Sequence, residues 1–172
     1  LGLSFCAQNA NKDCVEIDLK TEDGVEALLT LADEVDVFVQ NYRPGVIERL
    51  GLGEKVIRAR NPEIIYCSIS AYGGDGPIGH RPAYDHVVQA MSGIMSTTGT
   101  EEMGPTKVGA PYIDYATGLN SAFAILAALL EKNRTGKGQL VDISMLDTAL
   151  NLMANNLVCL LYTSPSPRDT IR

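Results

Sequence analysis

The chain has 172 residues, of which 45% are hydrophobic and 20% charged, and it carries a net charge of −7. That is enough apolar material for a packed core and too little charge for general disorder. An acidic balance excludes an extended nucleic-acid footprint, which needs clustered Lys and Arg, but it leaves room for a local basic pocket around a small phosphorylated ligand.

In chain order, Cys14 to Leu19 (CVEIDL) alternates apolar with acidic residues and predicts a half-buried strand. A helix is expected over Thr21 to Glu34, with Val25, Leu28, Leu29 and Leu31 at helical spacing and Glu22 and Asp23 suited to its first turn. Asp36 to Gln40 (DVFVQ) predicts a buried strand, followed directly by the loop Asn41 to Gly45 (NYRPG). Pro44 starts a helical stretch through Val46, Ile47 and Leu50, with Gly51 as its stop. A helix over Glu54 to Arg60 ends at Asn61–Pro62, because the residue before a proline disfavours the α region. Ile64 to Ser70 is the next strand.

Beyond it, Tyr72 to Gly79 is a glycine-rich loop that lacks the Lys and Ser/Thr of a Walker loop and the GxGxxG register. An apolar helix is expected over Tyr84 to Ser96 and a polar turn over Gly99 to Pro105. The strongest helix is Tyr115 to Lys132, with a stripe of Leu119, Phe123, Leu126 and Leu130, and with Ala122, Ala124, Ala127 and Ala128 permitting close neighbours. Gln139 to Ser144 predicts a strand and Met145 to Val158 a further apolar helix. Ser-Pro-Ser-Pro then forbids helix, so residues 160–172 are expected to be a non-native or disordered tail. Strand–helix–strand units with short connections define an α/β fold, with a Rossmann-like parallel sheet flanked by helices. Ligands of such sheets gather beyond the carboxyl ends of the strands, which makes Asn41 to Gly45 a candidate binding loop.

Cys6, Cys14, Cys67 and Cys159 form no CxxC pair, and only two histidines accompany them, so no metal site is expected. Cys14 and Cys67 stand in strand-like runs as small core residues, and a reduced setting, cytoplasmic or organellar, is expected. No uninterrupted apolar run is long enough to span a bilayer, so no membrane partner is expected. The chain opens on Leu1, without a Met or a charged leader, and starts inside an element, which predicts that its N-terminus is missing.

Several blocks share one family pattern. AQNANKDCVEIDLKTEDG, DVFVQNYRPGVIERLGLG, NPEIIYCSISAYGGDGP, RPAYDHVVQAMSGIMSTTG, YIDYATG and LLEKNRTGKGQLVDISMLDTAL follow one another in order. Together they resemble the family III (CaiB/BaiF) CoA-transferases over about residues 5 to 158, although Ala10 stands where an arginine is common. The group includes formyl-CoA:oxalate transferases, carnitine CoA-transferases and α-methylacyl-CoA racemases.

The resemblance implies a fragment, residues 1–159, of the family's large domain, with both its beginning and its C-terminal half missing. It implies that Asp114 is a nucleophile that moves coenzyme A from an acyl-CoA to a free carboxylic acid through an aspartyl-CoA thioester. By residues alone, Asp114 ahead of a long apolar helix is an N-cap, a role compatible with the other. CoA contacts implied by the family pattern fall on Asn41, Tyr42, Val46, Arg49, Leu50, Tyr84 and Met145, and no further cofactor is implied.

Racemases carry an acid/base histidine where Tyr84 stands, so epimerisation is the alternative that this position disfavours. His86 is expected to be a surface or packing residue. A non-catalytic acyl-CoA-binding relative is the other alternative. Members form intertwined homodimers, which implies that the isolated fragment is poorly stable and inactive.

Overall fold

The computed structural model describes residues 2–163, with side chains through residue 158. A short exposed helix α1 (Leu3–Gln8), which the sequence pattern did not predict, opens the chain. Helix α2 (Glu22–Glu34) begins as expected, because Thr21 accepts the Gly24 N–H through its hydroxyl and acids occupy the first turn. Strand β1 (Val37–Gln40), the short α3 (Val46–Arg49), α4 (Glu54–Arg60) and β2 (Ile65–Ser70) follow with the predicted order and close to the predicted bounds. Gly51 ends the α3 segment at φ 76, a left-handed conformation that suits glycine.

Helices α5 (Asp85–Met91) and α6 (Tyr112–Thr135), strand β3 (Leu140–Ser144), and helices α7 (Met145–Leu152) and α8 (Ala154–Thr163) complete the fold. Residues 164–172, which carry most of the expected tail, lie outside the described residues.

The three strands form one parallel sheet in the order β1–β2–β3. Val37 pairs with Ile65 and Cys67 with Val141, so the alternation along β2 sends successive side chains to opposite faces. Tyr66 goes to the face covered by α2, α3 and α4, where it packs among Leu29, Ala32, Ile47, Leu52 and Ile57 and stacks on Phe38 at 5.2 Å. Ile65 and Cys67 go to the other face, under Ala124, Ile125 and Ala128 of α6. A third cluster joins Ala71, Val88, Ile113, Met145 and Ala149 beyond the carboxyl ends of the strands, where α5, α6 and α7 meet. This three-layer α/β/α arrangement is the expected Rossmann-like fold.

Three expected elements are corrected. Cys14 to Leu19 forms no strand: the segment carries no ladder, and both Cys14 and Val15 are exposed. Its alternation needs a neighbouring strand for its backbone groups, and none of the described residues supplies one. The helix expected over Tyr84 to Ser96 is two pieces, because Gly93 at φ 86 breaks it and a 3₁₀ turn (Ile94–Thr97) follows. The helix expected over Met145 to Val158 is likewise divided at Met153 into α7 and α8.

Helix α6 offers two faces to the sheet. Its stripe of Leu119, Phe123, Leu126 and Leu130 faces outward, each residue between 61% and 75% exposed. The sheet instead receives Ala124, Ile125, Ala128 and Leu129. Thr117 and Ser121, both buried, donate their hydroxyl protons to the carbonyls of Ile113 and Thr117 at 2.6 and 2.7 Å. Their polarity is thereby satisfied inside the helix. By length and composition α6 is apolar enough to cross a bilayer, but here it lies against β2 and β3 of the sheet.

A carboxylate-bearing cavity at the strand ends

Because all three strands are parallel, their carboxyl ends open onto one edge, and a cavity of about 730 Å³ lies there. Each strand delivers one wall. After β1, Asn41, Tyr42, Arg43 and Pro44 line it. Gln40, buried at the end of β1, holds that loop: it donates to Ser68 Oγ at 2.9 Å and accepts the Tyr42 N–H at 2.9 Å. At the end of β2 come Ser70 and Ala71, and Ser70 Oγ accepts the Gly73 N–H at 2.9 Å. After β3 comes Met145, on a helix that Ser144 caps by accepting the Asp147 N–H at 2.9 Å.

Asp114 enters from the start of α6. The helix begins three residues earlier than the sequence predicted, so Asp114 is its third residue and not its N-cap, which is Pro111. The cap comes from elsewhere. Asp85, the first residue of α5, accepts the Ile113 N–H at 2.6 Å and the Asp114 N–H at 3.0 Å. A remote carboxylate therefore satisfies the helix end, and the reading of Asp114 as an N-cap is corrected for that reason. Partial burial, and secondarily the Asp85 charge, hold the Asp114 carboxyl above its ordinary range.

Of the predicted site residues, the cavity brings together Asn41, Tyr42, Tyr84, Asp114 and Met145. Val46, Arg49 and Leu50 lie outside its lining, on and just after α3. Leu50 packs against the cluster below the sheet, and the Arg49 guanidinium folds toward Gly45. His86 is exposed on α5, its ring nearly parallel to that of Tyr84 at 6.1 Å, and it does not line the cavity. The glycine-rich loop Tyr72 to Gly79 contributes no residue to the lining.

Sequence reasoning missed Arg81, Tyr115, Thr117 and Gly118, which also line the cavity. Arg81 carried a signal, as a cation three residues ahead of Tyr84; Thr117 and Gly118 were legible only as helix-interior residues. Gly118 stands one turn after Asp114, on the same face, and a methyl group placed on it would meet no atom within 4 Å. Glycine in a helix interior costs up to about 1 kcal/mol relative to alanine. Gly118→Ala is therefore expected to raise thermal stability while slowing any reaction at Asp114, because the methyl narrows the cavity there. Parallel melting and turnover measurements check the opposite signs.

A parallel α/β sheet with helices on both faces defines the chain as Rossmann-like, and its cavity lies beyond the strand ends, where sheets of this class ordinarily take their ligands. Among known proteins, the sequence profile of CoA-transferase family III matches residues 1–171. The chain belongs to CoA-transferase family III. It is 42% identical over 156 residues to the succinyl-CoA:glutarate CoA-transferase of Mus musculus, covering 91% of this chain and 34% of the relative. It is 43% identical over 150 residues to the formyl-CoA:oxalate CoA-transferase of Streptomyces avermitilis, covering 87% and 36%. The crystal structure of a CaiB/BaiF family protein from Brucella suis superimposes with a TM-score of 0.88 at 38% identity, over 92% of this chain and 42% of that one. The chain thus spans well under half the length of these relatives.

Proposed function

We propose that the protein containing this segment is a CoA-transferase in which Asp114 carries the acyl group and then the CoA. The observation that carries the reading is the Asp114 carboxylate at the cavity, unpaired among the described residues and held above the ordinary carboxylate range. In the first step the Asp114 carboxylate attacks the thioester carbonyl of an acyl-CoA and expels the CoA thiolate, leaving a mixed anhydride. The thiolate then attacks the aspartyl carbonyl, releases the donor carboxylate and forms an aspartyl-CoA thioester. An acceptor carboxylate attacks that thioester, and the expelled thiolate takes the acceptor carbonyl, which returns Asp114 as a carboxylate. Every bond broken is matched by one formed, and the sequence of steps calls on no resident cofactor.

Asn41, Tyr42, Tyr84 and Met145 are the proposed CoA contacts inside the cavity, with Arg43 and Arg81 as cations for its phosphates. Val46, Arg49 and Leu50 would serve a nucleotide that runs out of the cavity along α3. Tyr84 has no general-base role in this scheme, in keeping with transfer and not epimerisation. The outward stripe of α6 suits burial in the full-length homodimer, which we include in the proposal. A cytoplasmic setting fits the free thiols of Cys6, Cys14 and Cys67.

The test uses the full-length protein. Incubation with succinyl-CoA is expected to give a hydroxylamine-sensitive adduct on the peptide bearing Asp114, detected by mass spectrometry. CoA binding with no adduct from any of several acyl-CoAs would turn the reading toward a binding protein.

A further inference from the structure

Asp85 is the buried charge closest to the proposed chemistry and has no part in it so far. It is 8% exposed and lines none of the cavity. A carboxylate this deep is costly unless its lone pairs are met. No Lys or Arg pairs with it among the described residues. Its partners are neutral donors instead. One oxygen takes the N–H groups of Ile113 and Asp114, and the other accepts from Gln89 Nε2. Gln89 is fully buried and in turn accepts the Val108 N–H at 2.8 Å.

The two N–H groups belong to the second and third residues of α6, and such donors are left free at every helix start. A capping-box return of an acid at the third position is closed here, because its donor would be the N-cap N–H and the N-cap, Pro111, has none. The free N–H groups of the first turn and the helix dipole remain to draw such an acid back. Asp114 is an acid at that position. Asp85 takes two of these donors, the Ala110 carbonyl accepts the third from Tyr112, and the negative charge of Asp85 opposes the pull of the helix end on Asp114.

We propose that Asp85 is a positioning residue for the transfer reaction: by occupying the N-terminal donors of α6 it turns the Asp114 carboxylate out to the cavity and leaves it unpaired for attack. The inference rests on Asp114 being the nucleophile. It also accounts for part of the upward displacement of the Asp114 pKa, to which Asp85 contributes after burial. A more basic carboxylate is the stronger nucleophile.

The full-length protein tests this through Asp85→Asn and the double variant Asp85→Asn with Gln89→Glu. The single variant keeps an oxygen for the two helix N–H groups but sets its amide against the Gln89 amide and removes the charge. In the double variant, the new carboxylate at position 89 accepts both from the new amide at position 85 and from the Val108 N–H. The hydrogen bonds are then complete, and the charge stands one side chain further away. The rate of adduct formation from succinyl-CoA is read in a single turnover, beside CoA affinity and the thermal transition. Asp85→Asn is expected to slow adduct formation by about a hundred-fold, the scale of a small misplacement at a reacting centre, with CoA affinity unchanged. Its pH–rate profile should move to lower pH, since Tyr42, Arg43, Arg81, Tyr84 and Tyr115 still face the cavity as before. The double variant should recover most of the lost rate. An unchanged rate in Asp85→Asn, or a loss of rate, affinity and stability together that the double variant does not rescue, would overturn the inference while leaving the transferase reading intact. Absence of any adduct in the unmutated protein would instead sink both.

Discussion

Replacing Asp114 by asparagine in the full-length protein is expected to lower CoA transfer by about ten-thousand-fold or more, the scale seen when a covalent nucleophile is removed. The amide has nearly the shape of the carboxylate, so CoA affinity should persist and the adduct on this peptide should vanish. Folding should not suffer, because the backbone N–H of residue 114 still donates to Asp85.

The stability change has a definite sign. Asp114 is raised from its ordinary 3.8 by burial and by Asp85. Below 3.8 the group is protonated in both the folded and the unfolded chain, and it costs the fold nothing. As pH rises from there through the raised folded value, the unfolded chain ionises more readily than the folded one, and the unmutated protein loses stability. Asparagine does not titrate. Asp114→Asn should therefore melt higher than the unmutated protein at neutral pH, with the difference closing as pH falls toward 3.8. Melting curves across that range, beside turnover, separate a catalytic role from a structural one. A variant that loses stability at neutral pH, or that keeps its turnover, would show that Asp114 is not a strained nucleophile.

Gly138→Ala carries the second large effect, on folding rather than chemistry. Gly138 is buried in the turn between α6 and β3, where the chain crosses the start of β2. Its N–H donates to the Pro62 carbonyl at 3.1 Å, and its own carbonyl accepts from Arg58. A Cβ there would overlap the Ile64 carbonyl oxygen and the Glu63 carbonyl carbon, both backbone atoms with no rotamer to yield. Relief requires moving β3 away from β2, whose pairing begins at Tyr66 and Leu140. A loss of about 3 kcal/mol or more is expected, in the range reserved for backbone strain and core disruption. Gly136→Ala, two residues earlier, is the control. It adds left-handed strain at φ 69 with no atom within 4 Å, and should cost only about 1 kcal/mol. Chemical denaturation of the two variants side by side measures the gap.

What could be read from the chain alone was what neighbours in sequence decide. Thr21 ahead of two acids specifies the start of α2, and Asn61–Pro62 specifies the end of α4, because capping and proline geometry act within a few residues. The β-branched runs of β1 and β2, with short helical connections between them, were enough for a parallel sheet, and hence for a ligand loop at Asn41 to Gly45. The spaced blocks of residues were enough for the family.

Tertiary structure decided what depends on partners far along the chain. CVEIDL alternates like a strand, yet among the described residues no strand lies beside it to complete its hydrogen bonds. Two faces of α6 could have met the sheet. The one with Ala124, Ile125, Ala128 and Leu129 met it, Thr117 and Ser121 were buried with their hydroxyls bonded inside the helix, and the stripe of Leu and Phe was left outside. Asp114 looked like a cap because no window around it contains Asp85. That carboxylate arrives only when α5 folds against the start of α6, and its arrival leaves Asp114 facing the cavity.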